Sequence, residues 1–500
     1  MTDSAFGTPG SLQAVEHFDV LIVGAGISGI GAAYHLGEHF SDKTYVVLDG
    51  LDAFGGTWWT HKYPGVRSDS DLFTFGYRFK PWKGTPIATA DEILAYLGEV
   101  IDENDLVSHI RYKHRVERAT WSTDSRLWTV DATRTDTGEE VRFTASFLWM
   151  CQGYYRHDQG YTPRWEGMEL FKGQIVHPQV WPDDLDLRGK RVVVIGSGAT
   201  AATLIPSIAD DAAHVTMLQR SPTFFFVRPN ANELADMLRE LDIPDEWTHE
   251  IVRRKILHDQ DAVTKMSFES PEFLRQFLID TIRPLLPEGF DVDKHFNPAY
   301  RPWQQRIAVL LEGDLFTKVR EGKVSVVTEH IDAFTETGIR LATGETLAAD
   351  VVITATGFDL SVFGGVEFYV DEHPVNFAET VTYRGVMFTG VPNLAYVFGY
   401  FRASWTLRAD LVSDFVCHLL DAMRDKGATM VVPTLRDVDA DMALGPWVDP
   451  ENFNPGYLTR SMHLMPQQGS HDPWRLLHDY NVEKESLPAA DMDDGSLVFK

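Results

Sequence analysis

The chain writes the same local pattern twice: a short apolar run, a glycine-rich turn, then an apolar helical stretch. The first copy runs from Val20 to Val23 into Gly24-x-Gly26-x-x-Gly29 and on from Ile30 to Leu36. An apolar run without polar alternation suits a parallel strand covered on both faces. In the turn that follows, Gly24 makes the bend, Gly26 lets the backbone approach a pyrophosphate, and Gly29 lets helix and strand close on each other. The anion would rest on the free N–H groups and positive dipole end of the helix. A second β-branched run, Tyr45 to Leu48, ends in Asp49, placed to accept hydrogen bonds from ribose hydroxyls.

The second copy reads Arg191 to Ile195, then Gly196-Ser-Gly198-Ala-Thr-Ala201. Its third glycine has become Ala201, a permitted variant. After the next strand, His214 to Leu218, the chain carries Gln219-Arg220-Ser221 in place of an acid. A carboxylate there would repel a 2′-phosphate, whereas Arg220 pairs with one through its planar guanidinium. Two nucleotide units in one chain therefore predict FAD at the first and NADPH, in preference to NADH, at the second.

The fold class expected is α/β, with two dinucleotide-binding, Rossmann-like domains and a helical insertion in the NADPH domain. Residues 1–155 read as the first part of the FAD-binding domain. Residues 156–335 read as the NADPH-binding domain, with a charged, helix-rich insertion at about 230–296. Residues 336–500 read as the second part of the FAD-binding domain and a C-terminal segment. Between the two motifs, Tyr112 to Phe147 alternates apolar and polar residues as antiparallel strands do. Thr89-Ala-Asp-Glu92 is a capping box that opens a helix. The stretch from Asp350 to Phe358 is a strand whose small end, Thr356-Gly357, allows close approach to a cofactor.

Composition excludes several classes. The 500 residues carry 45 Lys and Arg against 73 Asp and Glu, a net charge of −28, which argues against nucleic acid or an anionic membrane as partner. The 2 cysteines, Cys151 and Cys417, are too far apart in sequence for a dithiol redox pair and too few for a metal cluster, so no metal is expected. Met1 to His17 lacks the layout of a signal peptide, and no long apolar run follows. A cytoplasmic protein is the expectation, with oligomeric state open.

Two segments go beyond generic dinucleotide binding. Phe171-x-Gly173-x-x-x-His177-x-x-x-Trp181-Pro182 lies between the two nucleotide motifs, and Gly55-Gly56-x-Trp58-x-x-x-x-Tyr63-Pro64-Gly65-x-x-x-Asp69 lies just after the first. With them the chain resembles, over nearly its full length, the type I Baeyer–Villiger flavin monooxygenase family. Within it, the resemblance is to the branch of the ethionamide-activating monooxygenase. The resemblance implies that NADPH reduces the flavin, that O₂ adds at its C4a carbon, and that the resulting C4a-peroxyflavin converts ketones to esters or lactones and sulfides to sulfoxides.

It further implies that Arg306 is the catalytic arginine, oriented by Asp69, and that His177 serves domain motion and hydride transfer more than proton transfer. Gly56, Thr57 and Trp58 fall on the flavin side, and Trp58, Trp59 and Trp405 are expected as cofactor or pocket walls. Three departures stand out: Gln305 where many relatives have lysine, Gln152 where they have a small residue, and Arg402 before Ala403. A flavin enzyme acting mainly on S or N atoms, or an NADPH oxidase releasing hydrogen peroxide, remain the alternatives. Small ketones or sulfides and O₂ are the partners expected.

Overall fold

The computed structural model describes residues 15–500, so the reading of the first fourteen residues lies outside the described part of the chain. The apolar run of the first motif becomes β1 (Glu16–Val23), which passes through the glycine turn into α1 (Ile27–His39) and on to β2 (Tyr45–Leu48). The capping box is formed: Thr89 accepts from the Glu92 backbone and Glu92 reaches back, starting α2 (Ala90–Glu103). β3 (Ile110–Arg111), β4 (His114–Ser122), β5 (Leu127–Arg134) and β6 (Glu140–Met150) follow.

These six strands belong to one nine-stranded sheet, completed by strands from the later part of the chain. β1 is parallel to both β2 and β6, while β4, β5 and β6 form the antiparallel meander expected from the alternation. Trp121, Trp128 and Trp149 are fully buried against it.

The chain leaves this unit through β7 (Tyr155–Gly160) and enters a five-stranded parallel sheet. Its members are β8 (Gln174–Val176), β9 (Arg191–Ile195), β10 (His214–Gln219), β11 (Val324–Thr328) and β12 (Val351–Thr354), with α3 (Ala199–Ile208) following β9. The order is β11-β10-β9-β12-β8. β12 pairs with β9 from Val351↔Val192 to Thr354↔Ile195. This corrects the expected end of the second unit at residue 335: that sheet continues to Thr354. A four-residue apolar run shows that a strand is buried, not which sheet buries it.

The chain returns through β13 (Phe358–Leu360), antiparallel to β7, and β14 (Leu394–Tyr396) lies parallel beside the last residues of β6. α7 (Trp405–Asp425) then packs on α1. The helical insertion comprises α4 (Glu233–Glu240), α5 (Asp245–Glu269) and α6 (Pro271–Ile282).

α5 reaches across to the first unit. Arg253 donates to the carbonyls of Phe73, Thr74 and Gly76 at 3.0, 3.3 and 3.1 Å, and His249 Nδ1 accepts from the Trp82 backbone at 3.2 Å. No helix among the described residues is long and apolar enough to cross a membrane.

Candidate active site

A cavity of about 920 Å³ opens where the two units face each other, and the turns of both glycine motifs border it. The first motif behaves as its spacing predicts. A Cβ on Gly29 would overlap the Gly24 carbonyl, so helix and strand meet at a distance only glycine allows. Gly26, by contrast, has room in front of it, as does Gly198 in the second motif. Both are N-caps, of α1 and α3, with no side-chain cap and no acid in the first turn. The first N–H groups of each helix are thus left for a ligand, and a helix N-terminus of this kind suits an anion.

The groups around these turns fit dinucleotides. Asp49 is buried, with Oδ2 accepting from Ala25 N at 2.6 Å and Oδ1 from Leu51 N at 2.8 Å. Burial raises its pKa, a cost that ribose hydroxyl donors would offset. Gln152 also lines the cavity, and neither end of its buried amide has a protein partner. A buried amide left without partners is costly unless a ligand bonds to it.

The cavity collects some of the expected residues and not others. Gly24, Gly26, Asp49, Gly56, Thr57, Trp58, Asp69, Gly198, Gln305, Arg306, Gly357 and Trp405 are on its wall. Gly29, Gly196 and Ala201 lie behind it, shaping strand–helix contacts, and Ala201 is fully buried. Thr356 spends its hydroxyl on the Tyr161 carbonyl at 2.5 Å. Trp59 is a correction: its indole donates to Asp52 at 2.9 Å and carries the Lys62 ammonium 4.1 Å over its ring, away from the cavity wall. Arg220 and Ser221 are exposed at the end of β10, and Arg220 has no hydrogen-bonded or ion-paired partner among the described residues. Arg402 is also off the wall, bonded to the Asn452 carbonyl at 3.1 Å and lying over the Phe268 ring.

Arg306 is the charged centre of the cavity. Its guanidinium pairs with Asp69, and Asp69 raises its pKa further, so it is a fixed cation at any working pH. Protein encloses the group, yet 43% of the side-chain surface stays accessible because it faces the cavity. Tyr154, Tyr155 and Tyr457 surround it and also line the cavity. Sequence reasoning missed these three. Their one sequence signal is the Tyr-Tyr pair that follows Gly153, since Tyr457 is about 300 residues away.

His177 sits off the cavity, at the crossing between the units. Its Nε2 lies 3.1 Å from the Gly357 carbonyl and its Nδ1 accepts from Gln179 N at 3.2 Å. That pattern needs the neutral tautomer with the proton on Nε2, and burial lowers the ring's pKa in the same direction. A Cβ on Gly160, at the end of β7, would overlap the ring. His177 thus pins β7 to the residue just ahead of β13, and both ring nitrogens are occupied.

Comparisons with known proteins place the chain in a family. The model of the flavin-binding monooxygenase-like family matches residues 86–238, and that of the NAD(P)-binding Rossmann-like domain matches residues 22–81. The FAD-containing monooxygenase EthA of Mycolicibacterium smegmatis is 48% identical over 486 residues, covering 97% of each chain. Among solved structures, oxidised steroid monooxygenase bound to NADP superposes with a TM-score of 0.76 at 23% identity, covering 97% of this chain and 99% of that one. OTEMO in complex with FAD and NADP gives 0.68 at 24% identity, over 84% and 88%. At such identity these two show the fold alone, whereas the full-length likeness to EthA carries the assignment: the chain belongs to the family of FAD-containing monooxygenases.

Proposed function

We propose that the protein is an NADPH-dependent Baeyer–Villiger monooxygenase that converts ketones to esters or lactones and also oxidises sulfides to sulfoxides. The observation that carries this reading is Arg306, a cation held by Asp69 on the wall of a cavity bordered by both glycine turns. The turn from Gly24 to Gly29, Asp49, Gly56, Thr57 and Trp58 would hold FAD. Gly198 with the first turn of α3, and Arg220 with Ser221 at the end of β10, would hold NADPH. When bound, the flavin reduced by NADPH supplies activated O₂ as the oxidant.

The chain's own residues do the rest. Nucleophilic attack on a ketone places negative charge on the carbonyl oxygen. A guanidinium already in position stabilises that charge without reorganising and without giving up a proton. Asp69 fixes its direction. His177, neutral with both nitrogens engaged, holds the two units in register and transfers no proton. The two buried, unpaired cysteines fit a reducing compartment such as the cytoplasm as the place of action.

The test supplies the FAD-loaded protein with NADPH, O₂ and either a cyclic ketone or an aryl methyl sulfide, and measures products together with hydrogen peroxide. Lactone from the ketone is expected. Sulfoxide without lactone would replace the reading with a sulfur-directed oxygenase. NADPH oxidation matched by peroxide alone would replace it with an oxidase.

A further inference from the structure

Arg306 does not stand alone in the cavity. The Tyr154 and Tyr155 hydroxyls are 2.5 Å apart, and the Tyr457 ring lies 6.2 and 5.7 Å from theirs. Tyr154 stacks on Trp405, with centroids 5.1 Å apart and planes at 9°, and the Trp405 indole donates to Ser28 Oγ at 2.7 Å in the first turn of α1. The group is therefore anchored to the flavin-side helix and lies beside Arg306. Burial raises the pKa of all three hydroxyls, which keeps them protonated at neutral pH.

Proton bookkeeping shows what they face. Each hydroxyl has one proton and two lone pairs, whereas a guanidinium has donors only. The Tyr154–Tyr155 contact uses one of that pair's two protons. Tyr457 lies beside both, close enough for its hydroxyl to interact with theirs. Arg306 can accept none of the hydroxyl protons, and Asp69 already accepts from Arg306 and Ser70. The three hydroxyls border the cavity next to the fixed cation, where each can turn its proton toward a ligand oxygen.

We propose that the hydroxyls of Tyr154, Tyr155 and Tyr457 form, together with Arg306, the site that receives the carbonyl oxygen of the ketone. The inference rests on the Baeyer–Villiger reading and gives it a substrate-binding residue set. When the carbonyl carbon is attacked, the C=O π pair moves onto the oxygen, and the tyrosines donate hydrogen bonds to it. As one carbon substituent migrates from the carbonyl carbon to the oxygen that attacked, the O–O bond of the oxidant breaks and its far oxygen keeps that bond's pair; the oxyanion pair returns to form the ester C=O, and each proton stays on its tyrosine throughout. A sulfide has no such oxygen before it is oxidised, so its oxidation makes no use of these donors.

The test is Tyr457→Phe, Tyr155→Phe and the double variant Tyr155→Phe/Tyr457→Phe, each loaded with FAD. Each removes only hydroxyls and keeps the ring packing. For each, kcat on the cyclic ketone, kcat on the sulfide and substrate-free NADPH oxidation are measured. Loss of one oxyanion donor typically costs 10²–10³-fold in kcat, so the double variant should lose roughly 100-fold or more on the ketone. Sulfide turnover and substrate-free NADPH oxidation should stay within about threefold of wild type, because neither develops charge on a carbonyl oxygen. Equal losses on all three would make the trio structural, and no loss on the ketone would overturn the proposal outright. Wild-type protein that forms no ester would instead overturn the Baeyer–Villiger reading on which it rests.

Discussion

Replacing Arg306 by methionine, alone and together with Asp69→Asn, separates what the ion pair does for folding from what it does for chemistry. Methionine keeps most of the volume and removes the charge. It leaves the Asp69 carboxylate without its partner. Stranding one member of a fully buried pair costs about 3–5 kcal/mol. Asp69 retains 24% of its side-chain surface and borders the cavity, so water can solvate it. A loss of about 1–2 kcal/mol is expected, nearer the price of one unsatisfied polar group.

Catalysis should fall further, by roughly 10²–10³-fold in kcat on the ketone, the range for removing a preorganised charge at a developing oxyanion. Asp69→Asn alone leaves the guanidinium charged, because an arginine stays protonated without help, and costs only its orientation, on the order of tenfold. The double variant should regain the stability lost by Arg306→Met, since no carboxylate is left unpaired, and recover none of the activity. Urea unfolding of the FAD-bound proteins gives the first quantity and lactone formation gives the second. If Arg306→Met kept ketone turnover within a few-fold of wild type, the assignment of the charged centre would be wrong.

Three further expectations follow from single residues. Arg220→Glu should raise the KM for NADPH by roughly 10–100-fold while sparing that for NADH, because only the former carries a 2′-phosphate for Arg220 to bind; equal effects on both coenzymes would remove Arg220 from the site. His249 is held neutral by burial, its pKa pushed down to about 4. Its stabilising contribution is complete above the ordinary histidine value near 6.5 and is lost as pH falls from there toward 4, about 3 kcal/mol in all. The difference in unfolding free energy between wild type and His249→Gln should shift by that amount over this window, and a pH-independent difference would contradict it. His177→Asn should slow flavin reduction by NADPH by about tenfold with FAD content unchanged, and the pH profile of that step between 7 and 8 should match the wild-type profile, since burial keeps the ring neutral there; a profile altered in that range would give His177 a protonic role.

The parts of this protein that were legible in its sequence are those with local causes. The two glycine turns, the capping box at Thr89 and the antiparallel meander each depend on residues a few positions apart, and each forms where its pattern predicts. What escaped depends on partners far along the chain. The strand from Val351 to Thr354 is recognisable as a buried strand, but only its pairing with β9 assigns it to the second sheet. Trp58 and Trp59 are adjacent and look equivalent, yet one turn of helix sends the first to the cavity and the second to Asp52 and Lys62. Tyr457 joins Tyr154 across about 300 residues, a contact that no periodicity encodes.

The crossing of β7 and β13 also bears on how the molecule is assembled. Because the chain leaves and re-enters the first unit at adjacent points, with Gly160 paired to Phe358, the second unit is a guest whose two ends nearly touch. Its sheet draws all its strands from one continuous stretch, Gln174 to Thr354, and a ribosome delivers that stretch before Leu394–Tyr396 emerges. The host sheet must wait for that last strand to cover the end of β6, with the first 150 residues already made. Domains fold as units when their chain is complete. The guest therefore closes first, and by bringing Gly160 and Phe358 together it shortens the loop that the host must close to a few dozen residues.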